Sequence, residues 1–189
     1  NFMEYSFLKS NKLKKLNGPC IFNPKIFTDS RGYFFESWNQ QLFNKIIQKN
    51  INFVQDNQSF SKKGVLRGMH YQLKPYDQGK LIRVLSGEIF DVIIDLRRDS
   101  ETYSEWAGIK LSHENQKQLW IPSGFAHGFL TLLDSTIVQY KVTNYWSAKH
   151  EISLKWDDKD INIDWNLNAY KIRCLDISKK DLNAFSFKE

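Results

Sequence analysis

The feature that most constrains the fold is a series of short apolar segments between residues 52 and 145, separated at close intervals by turn residues. Hardly any of these segments repeats with the period of a helix, and several alternate with the period of a strand. This pattern is typical of an antiparallel sandwich or closed barrel. Helical spacing occurs at residues 42–47, and Ser178 opens a second possible helix. We therefore predict a mainly β fold with a few short helices, mostly near the C-terminus.

The chain of 189 residues is expected to form a single domain, because this length suffices for one core and is short for two. Apolar residues make up 41% of the chain and aromatic residues 15%, which excludes a disordered protein. Within the domain we predict an N-terminal extension over residues 1–20, a β body over residues 21–160 and a C-terminal cover over residues 161–189.

The net charge of +6 and the pI near 9.2 raise the question of a nucleic-acid partner. The lysines are spread among acidic residues, without a zinc-finger, helix-turn-helix or RNP-like motif, so we expect no nucleic acid. A phosphate-bearing small molecule or a solvated surface accounts for the charge equally well.

Membrane and redox features are few. No segment approaches the roughly 20 apolar residues that span a bilayer, and no leader with a cleavage site is recognisable. Cys20 and Cys174 lack metal-type spacing, so we interpret both as reduced thiols. We expect a cytoplasmic protein with no membrane partner.

Arg67, His70 and Lys80 fall on two neighbouring strand-like segments with turn residues between them. An unpaired buried charge costs several kcal/mol, so three such residues either face water or form a site. Arg67 and His70 are three positions apart, and a regular strand would point them to opposite faces. Gly68 between them indicates a bulge that re-aims one of the two. In a regular strand, Arg67 would instead serve the outer rim or a neighbouring subunit.

Other polar residues sit within apolar strands. Residues 89–96 alternate so that Asp91 and Asp95 lie on one face. His127 and Tyr140 lie on the apolar faces of two later strands. Each of these two is either a packed core residue with one hydrogen bond or a site residue.

Two chemical templates fit parts of this layout. Residues 122–127 resemble the second motif of metal-binding cupins, but no second histidine follows His70 closely, so the first motif is incomplete. We therefore predict a cupin body without a metal. Proton transfer next to a carbonyl needs a base, a cation for the enolate oxygen and an acid on the opposite face. His70, Lys80 and Tyr140 supply these three types.

Six segments carry a family resemblance. They are DSRGYFFES at 29–37, FVQDN at 53–57, VLRGMH at 65–70, QGKL at 78–81, QLWIPSGFAHGF at 118–129 and YKVTNY at 140–145. In this order they resemble the dTDP-4-dehydrorhamnose 3,5-epimerase family over roughly residues 20–165. The resemblance implies a metal-free cupin-type antiparallel jelly-roll barrel, no cofactor, and a homodimer with an exchanged N-terminal strand.

The reaction that this resemblance implies inverts carbons 3 and 5 of dTDP-4-dehydro-6-deoxy-D-glucose to give dTDP-4-dehydro-L-rhamnose, in dTDP-L-rhamnose biosynthesis. His70 would remove the protons next to the ketone, Lys80 would stabilise the enolate oxygen, and Tyr140 would return a proton from the opposite face. Asp181 would hold the imidazole of His70, with Asp176 as the alternative.

Two further points stay open. Asp181 also stands at capping-box spacing from Ser178, so a purely structural role is an alternative. Tyr145 either stacks on the base of the nucleotide or only packs against neighbouring side chains. The remaining residues that match nucleotide-, diphosphate- or sugar-binding positions of the family are Arg31, Glu36, Gln55, Asn57, Arg67, His127, Glu151 and Lys180.

Three other functions remain compatible with these residues. A relative of the family would invert a single carbon or act on another nucleotide-linked 4-keto sugar. A non-catalytic cupin would bind a nucleotide sugar and not require His70 or Tyr140. A metal-dependent cupin would lose its activity to a chelator.

Overall fold

The computed structural model describes residues 3–188, so the first two residues of the predicted N-terminal extension and the last residue of the predicted C-terminal cover lie outside the described residues. The strands are β1 (Met3–Lys9), β2 (Lys15–Pro24), β3 (Phe27–Asp29), β4 (Gly32–Phe34), β5 (Gln55–Ser61), β6 (Val65–Gln72), β7 (Lys80–Ser86), β8 (Glu88–Asp95), β9 (Trp106–Ser112), β10 (Gln118–Ile121), β11 (Phe125–Thr131), β12 (Thr136–Val142), β13 (Glu151–Ser153) and β14 (Asp176–Ile177). The helices are α1 (Gln40–Ile47) and α2 (Lys179–Leu182).

Two antiparallel sheets form the body of the protein. The first has the strand order β1-β2-β10-β7-β12-β5, and the second has the order β13-β6-β11-β8-β9. β14 joins the second sheet by pairing parallel to β6, and β3 and β4 form a separate hairpin. Neighbouring strands are often distant in sequence, as β10 is between β2 and β7, which is the interleaving of a jelly roll. The predicted fold class is confirmed.

The main core lies between the two sheets. Ile82 and Val84 of β7 point into it from the first sheet, and Ile89 and Ile93 of β8 and Phe129 of β11 meet them from the second. These residues alternate with outward-facing residues along each strand, because successive side chains of a strand point to opposite faces. Burial of such side chains stabilises the fold by about 1.5–3 kcal/mol each.

The outer face of the second sheet is also buried. Val92 and Ile94 of β8 pack there against Ile161, Trp165 and Ile172. The C-terminal segment therefore covers one flank of the barrel, which explains why β8 is apolar on both faces.

Helix α1 covers the outer face of the first sheet. Asn39 caps it by accepting a hydrogen bond from the Leu42 N–H at 2.9 Å, as is usual for an N-cap asparagine. Phe43 is its buried residue and packs on Trp38, with ring centroids 5.0 Å apart. β4 ends at Phe34, and Trp38 packs against the helix at the point where the chain enters it. No helix among residues 3–188 is long and apolar enough to cross a membrane.

β6 and β11 approach each other closely at a pair of glycines. Gly68 has a φ of +118°, and a Cβ at this position would lie 2.6 Å from the Gly128 Cα and 2.7 Å from the His127 carbonyl oxygen. The register between the two strands shifts between His127 and Phe129. The expected bulge is present, and it places Arg67 and His70 on the same cavity.

We predict that Gly68→Ala destabilises the protein by about 2 kcal/mol more than Gly32→Ala. Both glycines have a positive φ, but a Cβ at Gly32 would meet no atom within 4 Å, whereas at Gly68 it meets backbone that cannot rotate away. Unfolding in urea measures both free energies. Equal losses would show that the close approach of β6 and β11 does not require glycine.

Candidate active site

A cavity of about 700 Å³ opens into the barrel and is lined by residues from both sheets and from α2. Polar side chains predominate in its lining. The residues with predicted roles that line it are His70, Lys80, Tyr140, Asp181, Gln55, Asn57, Arg67, His127, Glu151 and Lys180.

His70 and Asp181 form a hydrogen-bonded pair in this cavity. The Nε2 atom of His70 lies 2.6 Å from Oδ1 of Asp181, and the N–H of Gly68 donates to Oδ2 of the same carboxylate at 3.2 Å. Burial alone would raise the pKa of Asp181, but the hydrogen bond and charge of His70 and the Gly68 N–H outweigh burial and lower it. Asp181 is therefore an ionised partner that orients the imidazole through Nε2.

The helix cap and the carboxylate of Asp181 have separate tasks. Ser178 caps α2 by accepting a hydrogen bond from the backbone N–H of Asp181 at 3.1 Å, so the side chain of Asp181 is left to reach His70. Asp176, the alternative partner, also lines the cavity, but the structure pairs His70 with Asp181.

Lys80 begins β7 and is buried in the cavity wall. Burial lowers the pKa of its ammonium from the usual 10.5 to about 8, against the opposing charges of Glu151 and Asp91. At neutral pH the group is still mostly charged. A cation held in a water-poor wall interacts more strongly with a nearby anion than it would in bulk water.

Tyr140 faces the cavity from the other sheet. It belongs to β12 of the first sheet, whereas His70 belongs to β6 of the second, so the two side chains approach from opposite walls. Burial and the charge of Glu151 raise the pKa of Tyr140, although Asn57 and Arg67 oppose the rise. The phenol therefore keeps its proton at neutral pH and can donate it.

A second carboxylate and imidazole pair lies deeper. The Nε2 atom of His127 is 2.9 Å from Oδ2 of Asp91, and both side chains are buried. The sequence indicated Asp91 only as a carboxylate in an apolar strand. Its pairing depends on β8 and β11 being neighbours, which no local pattern reveals.

The rim of the cavity carries the groups that suit a nucleotide. Arg67 is held by Ser61, whose Oγ accepts from its Nε at 3.1 Å. Lys180 forms an ion pair with Glu151. Gln55 donates from Nε2 to Oδ1 of Asn57 at 2.8 Å. An arginine and a lysine here provide the donors that a diphosphate accepts.

Three predicted binding residues are not at this cavity within the chain. Arg31 is 87% exposed in the turn between β3 and β4 and pairs with Asp29 at 2.6 Å. Glu36 accepts a hydrogen bond from Asn39 at 2.9 Å near the start of α1. Tyr145 is 61% exposed, and its neighbour Trp146 lines the cavity in its place. Residues 143–147 form no strand, so the sequence offered no periodicity to fix which of the two faces inward.

Both histidines of the cavity are already engaged with carboxylates. Among residues 3–188, no group of three or more histidine, cysteine or carboxylate side chains is placed to hold a metal ion. Each cavity histidine instead uses one ring nitrogen on a carboxylate. The metal-free interpretation stays a prediction.

A family model and a relative of known name carry the same description. The family model for dTDP-4-dehydrorhamnose 3,5-epimerase matches residues 13–189. The protein of that name from Shigella flexneri is 50% identical over 167 residues, which cover 88% of this chain and 90% of that protein.

Two solved structures are close in shape. The crystal structure of dTDP-4-dehydrorhamnose 3,5-epimerase from Elizabethkingia anophelis superposes with a TM-score of 0.88 at 40% identity, covering 100% of this chain and 98% of the other. A Legionella pneumophila dTDP-6-deoxy-D-glucose-3,5-epimerase in complex with dTDP-4-keto-L-rhamnose gives a TM-score of 0.87 at 39% identity, covering 98% and 94%. Because sequence, family model and fold agree over nearly the whole chain, this protein belongs to the dTDP-4-dehydrorhamnose 3,5-epimerase family.

Proposed function

We propose that this protein epimerises dTDP-4-dehydro-6-deoxy-D-glucose at carbons 3 and 5 to dTDP-4-dehydro-L-rhamnose, as a step of dTDP-L-rhamnose biosynthesis. The observation that carries the proposal is the pair of His70 and Asp181 facing Tyr140 across one cavity, with Lys80 in its wall. Membership of the family and the likeness to a relative solved with dTDP-4-keto-L-rhamnose support the choice of substrate.

The first half of the reaction is removal of a proton. Nδ1 of His70 takes the proton from the carbon next to the ketone, and the electron pair of the C–H bond moves into the ring to form an enolate. Asp181 stabilises the imidazolium that results, because its carboxylate already lies 2.6 Å from Nε2. The ammonium of Lys80 stabilises the negative enolate oxygen.

The second half returns a proton to the other face. Tyr140 gives its phenolic proton to the same carbon from the opposite wall, which inverts the centre. The phenolate then regains a proton and the imidazolium loses one, both by exchange with water, so the protein is restored. One ketone activates both neighbouring carbons, and the same groups serve each in turn.

The nucleotide is proposed to lie along the rim. Arg67 and Lys180 would contact the diphosphate, and Trp146 offers an exposed aromatic face on which a thymine can stack. This assignment replaces Tyr145 with Trp146 as the stacking residue.

We further propose a homodimer in which Arg31 and Glu36 reach the cavity of the second subunit. The hairpin of β3 and β4 stands away from its own cavity and exposes Tyr33 and Phe34 at 60% and 72%. β1 at the sheet edge exposes further aromatic residues, and exposed apolar area of this kind marks an interaction surface. Within this chain β1 pairs with β2, and its exchange between subunits stays a prediction.

The cytoplasm is the proposed location. Cys20 and Cys174 are both free thiols, which suits a reducing compartment. A cell fractionation would check it.

Loss of the proposed base should abolish most of the exchange chemistry. His70→Ala should lower deuterium incorporation at carbons 3 and 5 about 10²–10⁴-fold, because no other group would remove the protons. Proton NMR of the dTDP-4-keto-6-deoxy sugar in deuterated water measures the exchange. The control is His113→Ala, since His113 contacts the Gly87 carbonyl and does not line this cavity.

Other outcomes of this experiment separate the alternatives. Exchange at one carbon would indicate a single-carbon epimerase. No exchange with the wild-type protein would favour another sugar or a binding-only cupin, and exchange abolished by a chelator would favour a metal-dependent enzyme. Unchanged exchange in His70→Ala would remove His70 from the mechanism.

The charge of Lys80 should be visible in the pH dependence of the reaction. Because its ammonium loses its proton near pH 8, kcat/KM should fall as the pH rises through about 8. Lys80→Met should lower kcat about 10²–10³-fold, since the enolate loses its cation.

The same substitution should stabilise the fold. An unfolded chain keeps the proton of this lysine up to the usual value of 10.5, so the folded state is penalised below pH 8 and gains stability between about 8 and 10.5. At neutral pH, Lys80→Met should therefore raise the free energy of unfolding by up to about 3 kcal/mol. If Lys80→Met lost both activity and stability, that would contradict the proposal that Lys80 lowers stability and is retained for catalysis.

Complementation between two inactive variants tests the dimer. Arg31→Ala and His70→Ala should each be nearly inactive alone, but co-expressed they should recover about one quarter of wild-type activity, because mixed dimers hold one complete cavity. Co-expression of Arg67→Ala with His70→Ala is the matched control. Arg67 lines the cavity of its own chain, so this pair should recover none. Recovery in both mixtures, or in neither, would contradict the proposed division.

A further inference from the structure

Asp91 lowers the folding stability of the protein at its place in the core. It lies on β8 with 0% exposure, between Ile89 and Ile93, which point into the same apolar core. Its Oδ2 accepts from His127, but its Oδ1 has no hydrogen-bond partner among residues 3–188. A buried carboxylate with an unpaired oxygen costs free energy that an aliphatic residue would avoid. Packing therefore does not account for it.

The first effect of Asp91 is on the ring of His127. When the carboxylate accepts a hydrogen bond from Nε2, the neutral imidazole carries its proton there, and Nδ1 is left as an acceptor. Burial lowers the pKa of His127, against the opposing charge of Asp91, so the ring is neutral at physiological pH. His127 lines the cavity, where an acceptor nitrogen suits a sugar hydroxyl.

The second effect of Asp91 is on the ammonium of Lys80, with which it interacts across the cavity wall. Burial raises the pKa of Asp91, and the charge and hydrogen bond of His127 and the charge of Lys80 oppose that rise. Of the two acids that act on Lys80, Glu151 is already paired with Lys180. The other titratable groups lining this cavity are His70, Tyr140, Arg67, Asp176 and Asp181.

We propose that Asp91 is a positioning residue for the epimerisation, which fixes the ring of His127 with Nδ1 toward the sugar and supplies the buried negative charge that offsets the ammonium of Lys80. The inference rests on the proposed function. Asp91 touches no reacting atom and acts through these two neighbours, which both line the cavity. Asp91 thus acts on His127 and on Lys80, the cation proposed for the enolate, as Asp181 acts on His70, the proposed base.

Asp91→Asn tests this proposal through the pH profile of deuterium exchange. The variant should lose about tenfold in kcat at neutral pH. Its alkaline limb, the part of the profile where the rate falls with rising pH, should shift to a pH about one unit lower, because Lys80 loses a buried countercharge. Asp95→Asn is the matched control. Asp95 has the same 0% exposure on the same strand, but it pairs with Arg97 outside this cavity.

The alkaline limb of Asp95→Asn should coincide with that of the wild type, even if this variant is less stable. An Asp91→Asn variant whose limb coincides with that of the wild type would overturn the proposal, since a merely structural residue changes stability without moving the limb. If the wild-type protein shows no exchange, the proposed function fails, and the NMR measurement below still decides the role of Asp91 toward His127.

Nitrogen-15 NMR of the wild-type protein provides that second test, which depends neither on activity nor on the folding of a variant. With labelled histidine, His127 should be neutral around pH 7 with its proton on Nε2. A proton on Nδ1 at that pH would overturn the proposal, because the ring would then present a donor to the cavity.

Discussion

The close approach of Gly68 to Gly128 is the constraint on which the site depends. It lets β6 pass β11 at backbone contact, and the resulting register shift brings Arg67 and His70 to one cavity although they are three positions apart. The same bulge points the Gly68 N–H at Asp181. One backbone feature therefore positions His70 and also holds the carboxylate that orients its ring. A side chain at either glycine would meet backbone of the opposite strand or, at Gly128, the sulfur of Met69.

The barrel carries its charges as partnered groups set into apolar walls. His70 and His127 each contact a carboxylate, and Glu151 and Asp91 oppose the effect of burial on the ammonium of Lys80. Such groups reduce stability, because desolvation of a charge is not fully repaid by its partner. Two histidine–carboxylate pairs and a buried lysine meet around one cavity, which indicates that the arrangement serves chemistry.

Sequence reasoning could predict most of the fold because alternation and turn residues are local signals. It identified β6 and the bulge at Gly68, since a glycine between two polar residues of a strand marks a place where the backbone departs from regular pairing. It could not show the pairing of Asp91 with His127, which depends on β8 lying beside β11. It chose Tyr145 over Trp146, because an irregular segment has no period that tells which side chain points inward.

A crystal structure with a dTDP-linked 4-keto sugar bound would decide whether the two walls of the cavity act on opposite faces of the substrate. We expect the keto oxygen about 3 Å from the ammonium of Lys80, with His70 and Tyr140 on opposite faces of the sugar ring. Both groups on one face of the ring would contradict the inversion mechanism. So would a nucleotide bound in the separate cavity of about 620 Å³ beside Trp120.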